Sequence, residues 1–460
     1  MNYLLAALLG LVSSTAFEPF SFWPSVFVGF AGWYFLLIRA RLGSRVLISY
    51  IFGLSQLLVV QHWTGIYVGS LPWLVLSFCQ ATFFILPAYL VGKSKRYNQF
   101  AFATSFVIVE LLLRTVPFTG FGWTRISFTQ VDSPLSDLYK LGGVVLVAFF
   151  IAAISASRTL ITGSILLILV ALSAFIPNSV SSESNVKIAL IQGGVSNLGL
   201  DFNAKPMEVF NRHLSQTAKS IKPSDVKLII WPENAVDVDI NTSQSVASKI
   251  TQISTDLKTP ILIGGVTKST AGLRNQSILL NPTAQQIYTK RYLTPFGEYM
   301  PLRNLATKFS SYANDVTDFA GGTNDHIFRV NGLTFQTLIC YELLNDSFRD
   351  QISGDFLTVQ TNNATFGDTS QLDQELNIAK VRAIETGRFI PYVSTTGVTS
   401  FINNDGQIYS ELPKFSSATL IDNVISVEGR TLTQIYGRYL ESISVIWLLI
   451  ILFLRRKVSK

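Results

Sequence analysis

The chain has 460 residues, of which 48% are hydrophobic and only 14% are charged, with a formal net charge of +7. Soluble domains carry roughly 25% charged residues, so this composition excludes a disordered chain and a simple soluble globular protein. Two cysteines, Cys79 and Cys340, exclude a disulfide scaffold and a cysteine-built zinc site, and the chain has only three histidines. We therefore expect no metal ion and no cofactor.

Residues 1–180 predict a membrane domain. Seven apolar runs in this part approach the roughly 20 residues that a helix needs to cross the hydrocarbon core. The first run has no basic segment before it and no small-residue cleavage site after it, so it predicts a retained span and not a signal peptide. With one further run near the C-terminus, we expect eight spans, at 3–16, 22–38, 46–63, 71–92, 100–117, 141–156, 159–176 and 439–454.

The basic residues predict the orientation of these spans. The loops at 17–21 and 64–70 carry no lysine or arginine, and the segment 118–140 carries only Arg125 and Lys140. The loops and tail on the opposite side are basic, with Arg39, Arg41, Arg45, Lys93, Lys95, Arg96, Arg158, Arg455, Arg456, Lys457 and Lys460. This pattern obeys the positive-inside rule, so the basic excess indicates membrane topology and not nucleic-acid binding. Both termini are therefore expected in the cytoplasm.

Residues 181–437 predict an extracytoplasmic α/β domain, and residues 438–460 a last span with a basic cytoplasmic tail. After a polar linker at Ser181–Asn185, short apolar strands alternate with helical segments at Met207–Ile221 and Gln244–Asp256. The predicted strands are Val186–Gln192, Val226–Trp231, Pro260–Gly265, Gln276–Asn281, Phe335–Cys340 and Asp355–Thr361.

Three polar residues, Glu233, Lys290 and Cys340, lie at or just beyond strand patterns, where α/β enzymes place their catalytic groups. Each alone has an ordinary explanation, as a strand-end acid, a solvated lysine or a buried core cysteine. Together they suit nucleophilic catalysis, because a thiolate needs a base and a positive group nearby. Glu233 would be the general base and Lys290 would stabilise the thiolate and the oxyanion. The backbone N–H of Tyr341 is a second oxyanion donor.

The order of these residues resembles the nitrilase (carbon–nitrogen hydrolase) superfamily, with Trp-Pro-Glu233, then Tyr-x-Lys290, then Cys340-Tyr-Glu342. The segment Pro295-Phe-Gly-Glu298-Tyr-Met-Pro301 is similar to the apolipoprotein N-acyltransferase family, the integral membrane branch of that superfamily. Further segments with this resemblance extend along the whole chain: Phe17-Glu-Pro19, Trp23-Pro24, Glu110-x-x-x-Arg114, Thr119-Gly-Phe-Gly-Trp123, Asn363-Ala-x-Phe-Gly-Asp368 and Arg382-Ala-x-Glu385-x-Gly-Arg388.

The resemblance implies an α-β-β-α nitrilase-like sandwich attached to a transmembrane helical bundle of about eight spans in a bacterial cytoplasmic (inner) membrane. It also implies a reaction, in which an acyl chain passes from a membrane phospholipid to a cysteine thioester. The acyl chain then passes to the α-amino group of the S-diacylglyceryl cysteine of an apolipoprotein. An apolar loop or membrane-facing lid would keep water from the thioester.

Carried over residue by residue, the resemblance makes Glu233 the base, Lys290 the oxyanion-stabilising lysine and Cys340 the nucleophile. Glu298 and Glu342 match acids near this triad, which we assign to orienting Lys290 and shaping the site. A structural salt bridge is the other interpretation of these two acids.

Four residues are candidate substrate or lipid contacts: Glu110, Arg114, Trp123 and Thr365. The i, i+4 spacing of Glu110 and Arg114 allows them to pair with each other, or to contact a lipid head group. Thr365 stands where the family usually has an aromatic residue.

Two further departures lie nearby in the motifs. Gly122 replaces a usual proline, and Asp373-Gln-Glu375 occupies a segment where the family commonly places a histidine. These departures concern the shape of the acyl pocket and the substrate preference more than the reaction.

Two other functions remain open from the sequence. One is a membrane-anchored nitrilase-type amidase, which would use the same three residues with water as the acceptor. The other is a non-catalytic lipid-binding or transport scaffold with a degenerate catalytic domain. The intact set of Glu233, Lys290 and Cys340 argues against the scaffold.

Overall fold

The computed structural model of the protein describes residues 1–92, 97–177, 180–199, 201–281, 284–309 and 312–458. Lys93, Lys95, Arg96 and Lys460, which the predicted orientation uses, lie outside the described residues. The chain forms two compact units, one of Met1–Ser179 with Thr431–Lys460 and one of Val180–Arg430.

The first unit begins with eight helices. Their bounds are α1 (Asn2–Ser14), α2 (Ser25–Arg39), α3 (Leu42–Val60), α4 (Ser70–Ala81), α5 (Leu86–Leu90), α6 (Asn98–Thr115), α7 (Leu138–Ser155) and α8 (Leu160–Ser173). Between α6 and α7 the chain makes two short 3-10 turns, Gly122–Thr124 and Ile126–Gln130, whose residues are buried. An irregular segment can be buried in an apolar environment only where other protein groups form hydrogen bonds with its backbone N–H and C=O groups.

An aromatic cluster forms the centre of this unit. The Trp33 ring of α2 stacks on Phe52 of α3 with ring centroids 4.6 Å apart, and meets Phe102 of α6 edge-on at 5.1 Å. The indole N–H of Trp33 donates to the Ser49 hydroxyl at 3.1 Å, so the one polar atom of this ring is satisfied in the core. Large apolar side chains therefore join α2, α3 and α6.

The second unit contains twelve strands and six helices in its described part. The strands are β1 (Val180–Gln192), β2 (Leu228–Ile230), β3 (Ile261–Ser269), β4 (Gly272–Asn281), β5 (Ala284–Thr289), β6 (Phe328–Val330), β7 (Leu333–Ile339), β8 (Phe356–Thr361), β9 (Ile390–Ser394), β10 (Ser400–Ile402), β11 (Ile408–Glu411) and β12 (Ala418–Gly429). The helices are α9 (Glu208–Ser220), α10 (Gln244–Leu257), α11 (Arg303–Phe309), α12 (Tyr312–Asp315), α13 (Asp346–Arg349) and α14 (Gln371–Thr386). The six strands and two helices predicted from sequence are confirmed, with small shifts at their ends.

The strands form two six-stranded sheets, in the orders β12-β1-β2-β3-β4-β5 and β11-β10-β9-β8-β7-β6. In each sheet three central strands are parallel, β1-β2-β3 in the first and β7-β8-β9 in the second. Loops that follow parallel strands lie together at one edge of a sheet, which is where open α/β sheets place their sites. Glu233 follows β2, and Cys340 follows β7.

The polar linker predicted at Ser181–Asn185 is wrong. These residues belong to β1, which pairs antiparallel with β12 from Val180 opposite Gly429, with a register shift between Ser182 and Asn185. The partner strand lies more than 200 residues downstream, so the local polar composition could not indicate this pairing.

The apolar core of the first sheet lies under α9 and α10. Phe210 of α9 and Ile250 of α10 pack with Trp231, Ile229 and Ile263 of the sheet. The apolar residues of both helices recur at helical spacing, so each helix has one apolar face. That face packs against the sheet and buries these side chains.

A polar side chain links the two sheets behind the strand ends. Gln360 of β8 donates through Nε2 to the carbonyl oxygen of Trp231 at 2.6 Å. Its Oε1 accepts from the hydroxyls of Ser277 in β4 and Thr337 in β7. Gln360 and Ser277 are fully buried, so these bonds fix the register of one sheet against the other.

The last helix of the chain, α15 (Leu432–Val458), packs against α6 and α7 in the first unit. Within the described ranges, four helical segments are long and apolar enough to cross a membrane: Leu42–Val60, Ser70–Leu90, Leu138–Ser155 and Leu432–Arg455. Three shorter helices, α1, α2 and α8, are also apolar. The structure thus supports membrane-crossing helices: each of the eight predicted apolar runs overlaps a helix, and four of them, at 46–63, 71–92, 141–156 and 439–454, coincide with the segments that are long and apolar enough.

Buried charges anchor the turn that follows Cys340. Arg382 of α14 donates through Nε to the carbonyl oxygen of Leu343 at 2.7 Å and through Nη2 to Asp346 at 2.7 Å, and it also pairs with Glu385. Arg382 and Glu385 are almost completely buried, so each charge depends on its partners.

We predict that Arg382→Met lowers the free energy of unfolding by about 3–5 kcal/mol, because it leaves the Asp346 and Glu385 carboxylates buried without this partner. The measurement is chemical unfolding of the purified protein. Arg212→Met is the matched control, since Arg212 lies on the exposed side of α9 and pairs with Glu208 at 3.2 Å. Equal effects of the two substitutions would contradict the role assigned to Arg382.

Candidate active site

Glu233 lies just after β2 and is 5% exposed. Its Oε2 accepts the backbone N–H of Asn362 at 2.9 Å, and its Oε1 accepts Nδ2 of Asn275 at 2.7 Å. A Cβ on Gly264 of β3 would lie 2.4 Å from the Pro232 carbonyl oxygen, so glycine is needed for the Glu233 segment to approach. Burial raises the pKa of Glu233, and this effect exceeds the opposing attraction of Lys290.

Lys290 follows β5, and its ammonium group is buried between two carboxylates. Nζ lies 2.9 Å from Oε2 of Glu298 and 3.4 Å from Oε1 of Glu233. Burial alone would lower the pKa of Lys290, but the two carboxylates outweigh it and raise that pKa. The side chain is therefore a fixed positive charge at neutral pH.

Asn275 of β4 was missed by the sequence analysis. Its Nδ2 donates to Oε1 of Glu233 and to Oε1 of Glu298, at 2.7 Å each. One amide group therefore bridges the two carboxylates that flank Lys290. The sequence has one local signal for this role: Asn275 is a polar residue in the part of β4 that precedes the apolar run at 278–280.

Glu298 is the acid that contacts the Lys290 ammonium. Its Oε2 also accepts the backbone N–H of Thr294 at 2.8 Å, which closes the segment between Lys290 and Glu298. Burial raises the pKa of Glu298, but Lys290 and the hydrogen bonds outweigh burial, so the net pKa is lowered. Glu298 is thus a carboxylate at neutral pH.

Cys340 follows β7 and begins a 3-10 turn, Cys340–Leu344. Its φ of 49° is in the left-handed region, which is uncommon for a residue with a side chain and requires support from its neighbours. The residue is half-buried. Burial raises the pKa of the Cys340 thiol well above its ordinary value, with added contributions from Glu375 and Glu233, while Lys290 opposes them.

Glu342 supplies part of that support and joins the Cys340 turn to the Lys290 segment. Its Oε2 accepts the backbone N–H of Ile339 at 2.9 Å, and its Oε1 accepts the backbone N–H of Arg291 at 2.7 Å and the Tyr288 hydroxyl at 2.8 Å. Burial raises the pKa of Glu342 to about 7. Of the two candidate acids, Glu298 contacts Lys290 itself, whereas Glu342 contacts the backbone beside it.

Tyr341 follows Cys340 in the turn and is 8% exposed. The proposed use of its backbone N–H as an oxyanion donor stays a prediction.

Glu375 of α14 was not assigned a role from sequence, yet its charge acts on the Cys340 thiol. Nothing in the local pattern indicates this, because α14 begins 31 residues after Cys340.

Three of the four candidate contact residues lie in the other unit. Glu110 is 2% exposed and accepts from the backbone N–H of Ser127 at 2.9 Å, with Nε of Arg125 at 3.4 Å. Arg114 donates through Nε to Glu441 of α15 at 3.2 Å. These contacts join Glu110 to residues 125–127 and Arg114 to α15, and a pair between Glu110 and Arg114 stays a prediction.

Trp123 is 4% exposed and packs against Trp63, with ring centroids 4.9 Å apart. Thr365 lies in the short turn Ala364–Phe366 that follows β8, and it is half-buried. Contact of any of these residues with substrate or lipid stays a prediction.

Among the residues that the structure describes, no group of three or more histidine, cysteine or acidic side chains could hold a metal ion.

The assembled groups suit transfer of an acyl group through cysteine. A buried carboxylate and a fixed ammonium follow β2 and β5 of the first sheet, a half-buried thiol follows β7 of the second, and both charges act on that thiol. The carboxylate can accept the thiol proton, and the ammonium can stabilise negative charge on a substrate carbonyl oxygen. The same set would serve an acyl acceptor of either kind, an amine or water.

Comparison with known proteins shows the family to which this chain belongs. A model of the apolipoprotein N-acyltransferase N-terminal domain matches residues 9–157, and a carbon–nitrogen hydrolase model matches residues 187–430, just over half of the chain. Among solved structures, a CN-hydrolase superfamily protein from Xanthomonas campestris has a TM-score of 0.41 at 16% identity, covering 53% of this chain and 91% of that one.

Two curated relatives are similar over nearly the whole chain, and both are named apolipoprotein N-acyltransferase. The protein from Mycolicibacterium smegmatis is 29% identical, over 95% of this chain and 82% of its own length. The protein from Haemophilus influenzae is 28% identical, over 100% of this chain and 96% of its own length. The chain therefore belongs to the carbon–nitrogen hydrolase family, and it carries the N-terminal domain of the apolipoprotein N-acyltransferases ahead of its hydrolase domain.

Proposed function

We propose that the protein is an apolipoprotein N-acyltransferase of a bacterial cytoplasmic membrane. It transfers an acyl chain from a phospholipid, through a thioester on Cys340, to the α-amino group of the S-diacylglyceryl cysteine of an apolipoprotein. The observation that carries this proposal is the occurrence, in one chain, of the Glu233–Lys290–Cys340 site and the N-terminal domain matched at residues 9–157.

The first half-reaction forms the thioester. Glu233 takes the proton of the Cys340 thiol, and the sulfur attacks the ester carbonyl carbon of the phospholipid. Lys290 and the backbone N–H of Tyr341 stabilise the oxyanion that develops on the carbonyl oxygen. The carbon–oxygen bond of the ester then breaks, and the lysophospholipid leaves as an alcohol with the proton that Glu233 returns.

The second half-reaction consumes the thioester. The acceptor's α-ammonium group loses one proton to solvent, and the resulting amine attacks the thioester carbonyl carbon. Glu233 accepts a second proton from the nitrogen and returns it to the sulfur as the carbon–sulfur bond breaks. The products are an amide and the free thiol, so the site is ready for another phospholipid.

Both substrates are lipids, so the site must be held at the bilayer. We propose that all eight apolar helical segments cross it: α1, α2, α3, α4 with α5, α6, α7, α8 and α15. With the N-terminus in the cytoplasm, Arg39, Arg41, Arg45, Arg158 and Arg455 lie on the cytoplasmic side, in agreement with the positive-inside rule. Residues 180–430 then lie on the extracytoplasmic side, where the lipid-modified acceptor is found.

Residues 294–305, which lie between β5 and β6, are the proposed apolar lid. Three of its large apolar side chains are exposed, Phe296 at 50%, Leu302 at 60% and Leu305 at 51%. The same segment contains Glu298, which contacts Lys290. A lid built on this segment would exclude water from the thioester and would contact acyl chains with its exposed face.

The proposal predicts that purified protein converts a diacylglyceryl peptide into a triacylated peptide when phospholipid vesicles are supplied. Cys340→Ala should reduce the rate at least about 1,000-fold, because the acyl group then has no nucleophile. Mass spectrometry of the peptide is the measurement, and Cys79→Ala, in the other unit, is the control. Release of free fatty acid at the same rate with and without the peptide would indicate a hydrolase instead.

Glu298→Gln should slow thioester formation roughly 10- to 100-fold, because Lys290 loses a partner that positions it. It should also move the acidic limb of the pH–rate profile to lower pH. The negative charge of Glu298 raises the pKa of Glu233, so its removal lowers that pKa and keeps the base deprotonated in more acidic solution. Single-turnover rates across pH give both values.

The control for this variant is Glu208→Gln, a change of a half-buried acid on α9 that lies outside the site and should leave the profile unmoved. An acidic limb that stays in place, or that moves to higher pH in Glu298→Gln, would contradict the electrostatic coupling of the two acids.

A further inference from the structure

A buried acid that the proposed mechanism does not use lies beside the nucleophile. Glu375 is in the second turn of α14 and is 1% exposed. Its Oε1 accepts the hydroxyl of Thr361 at 2.9 Å, and its Oε2 accepts Nδ2 of Asn363 at 2.6 Å and Nε2 of Gln371 at 3.0 Å. These partners are neutral, unlike the Lys290 ammonium that Glu233 and Glu298 share.

The strand register places this carboxylate next to Cys340. Ile339 of β7 is opposite Gln360 of β8, and Cys340 and Thr361 directly follow this last pair of the two strands in the chain. Burial raises the pKa of Glu375, and hydrogen bonding to its partners, with the Cys340 side chain among them, opposes that rise. A carboxylate has about four acceptor positions, and three are filled by Thr361, Asn363 and Gln371. The Tyr392 hydroxyl and the Cys340 thiol are the further donors close to this carboxylate.

We propose that Glu375 is a second carboxylate at the nucleophile, which binds the Cys340 thiol hydrogen in the free enzyme and keeps the sulfur protonated until an acyl donor occupies the site. Glu233 keeps its role as the base. Rotation about the Cβ–Sγ bond of Cys340 moves only the hydrogen, and redirects it from Glu375 to Glu233. No bond to sulfur forms or breaks in this step.

The charges around Cys340 agree with this assignment. Glu233 and Lys290 face it from the first sheet, Glu375 from α14 and Tyr392 from β9. Burial, Glu375 and Glu233 raise the pKa of the thiol, and Lys290 is the group that lowers it. Because oxidation and alkylation require a thiolate, the Glu375 carboxylate protects an idle nucleophile from both.

The test is the pH dependence of Cys340 alkylation by iodoacetamide, measured on the full-length protein in detergent with Cys79→Ala as background. The midpoint should lie above the ordinary thiol value of about 8.5. Glu375→Gln should lower the midpoint by about one pH unit or more, because it removes a negative charge beside the sulfur. Alkylation at pH 7 then becomes roughly tenfold faster or more.

Asp373→Asn is the matched control, because Asp373 lies on the same helix and pairs with Lys414 at the surface, at 2.6 Å. It should leave the midpoint unchanged. If Glu375→Gln does not fold, Glu375→His supplies a side chain that is neutral in the alkaline range, and it should lower the midpoint as well.

An unshifted midpoint in a folded Glu375 variant would overturn the proposal, and so would a midpoint at or below about 8.5 in the background protein. The proposal rests on the proposed function only for the identity of the acyl donor. Alkylation needs no lipid, so a shifted midpoint in a protein that fails to acylate peptides would refute the acyltransferase function and leave the role of Glu375 intact.

Discussion

The site depends on one buried ammonium group, that of Lys290, held between the carboxylates of Glu233 and Glu298. An isolated charge at this depth would be too costly to bury, so the cation and its two acids must be brought in together. Asn275 separates and orients the two acids by donating to both. Glu342 fixes the backbone beside Lys290 and the turn that carries Cys340, so the same constraint reaches the Cys340 thiol.

This arrangement needs two sheets in a fixed relation, because Glu233 and Lys290 follow strands of the first sheet and Cys340 follows a strand of the second. The bonds of Gln360 to Trp231 and Ser277 fix that relation close to the strand ends. A displacement of 1 Å between sheets would be enough to cost about 100-fold in rate. The buried polar groups therefore fix the relative positions of Glu233, Lys290 and Cys340 as well as stabilise the fold.

The strands that carry Glu233 and Cys340 could be predicted from the sequence because their apolar runs are local. Glu233, Lys290 and Cys340 could be predicted as a set because a thiol nucleophile requires those partners. Asn275 and Glu375 could not, since their roles come from contacts across strands and with a distant helix. The pairing of β1 with β12 was missed for the same reason, because the polar residues at Ser181–Asn185 acquire their partner from the end of the domain.

The central claim is that the acyl group passes through Cys340 beside Lys290. The most direct test is mass spectrometry of the purified protein after mixing with phospholipid alone, and again after adding a diacylglyceryl peptide. The account predicts an added acyl mass on the peptide that contains Cys340, which disappears when the acceptor is added. Formation of the triacylated peptide with no acyl group on Cys340 at any time would contradict it.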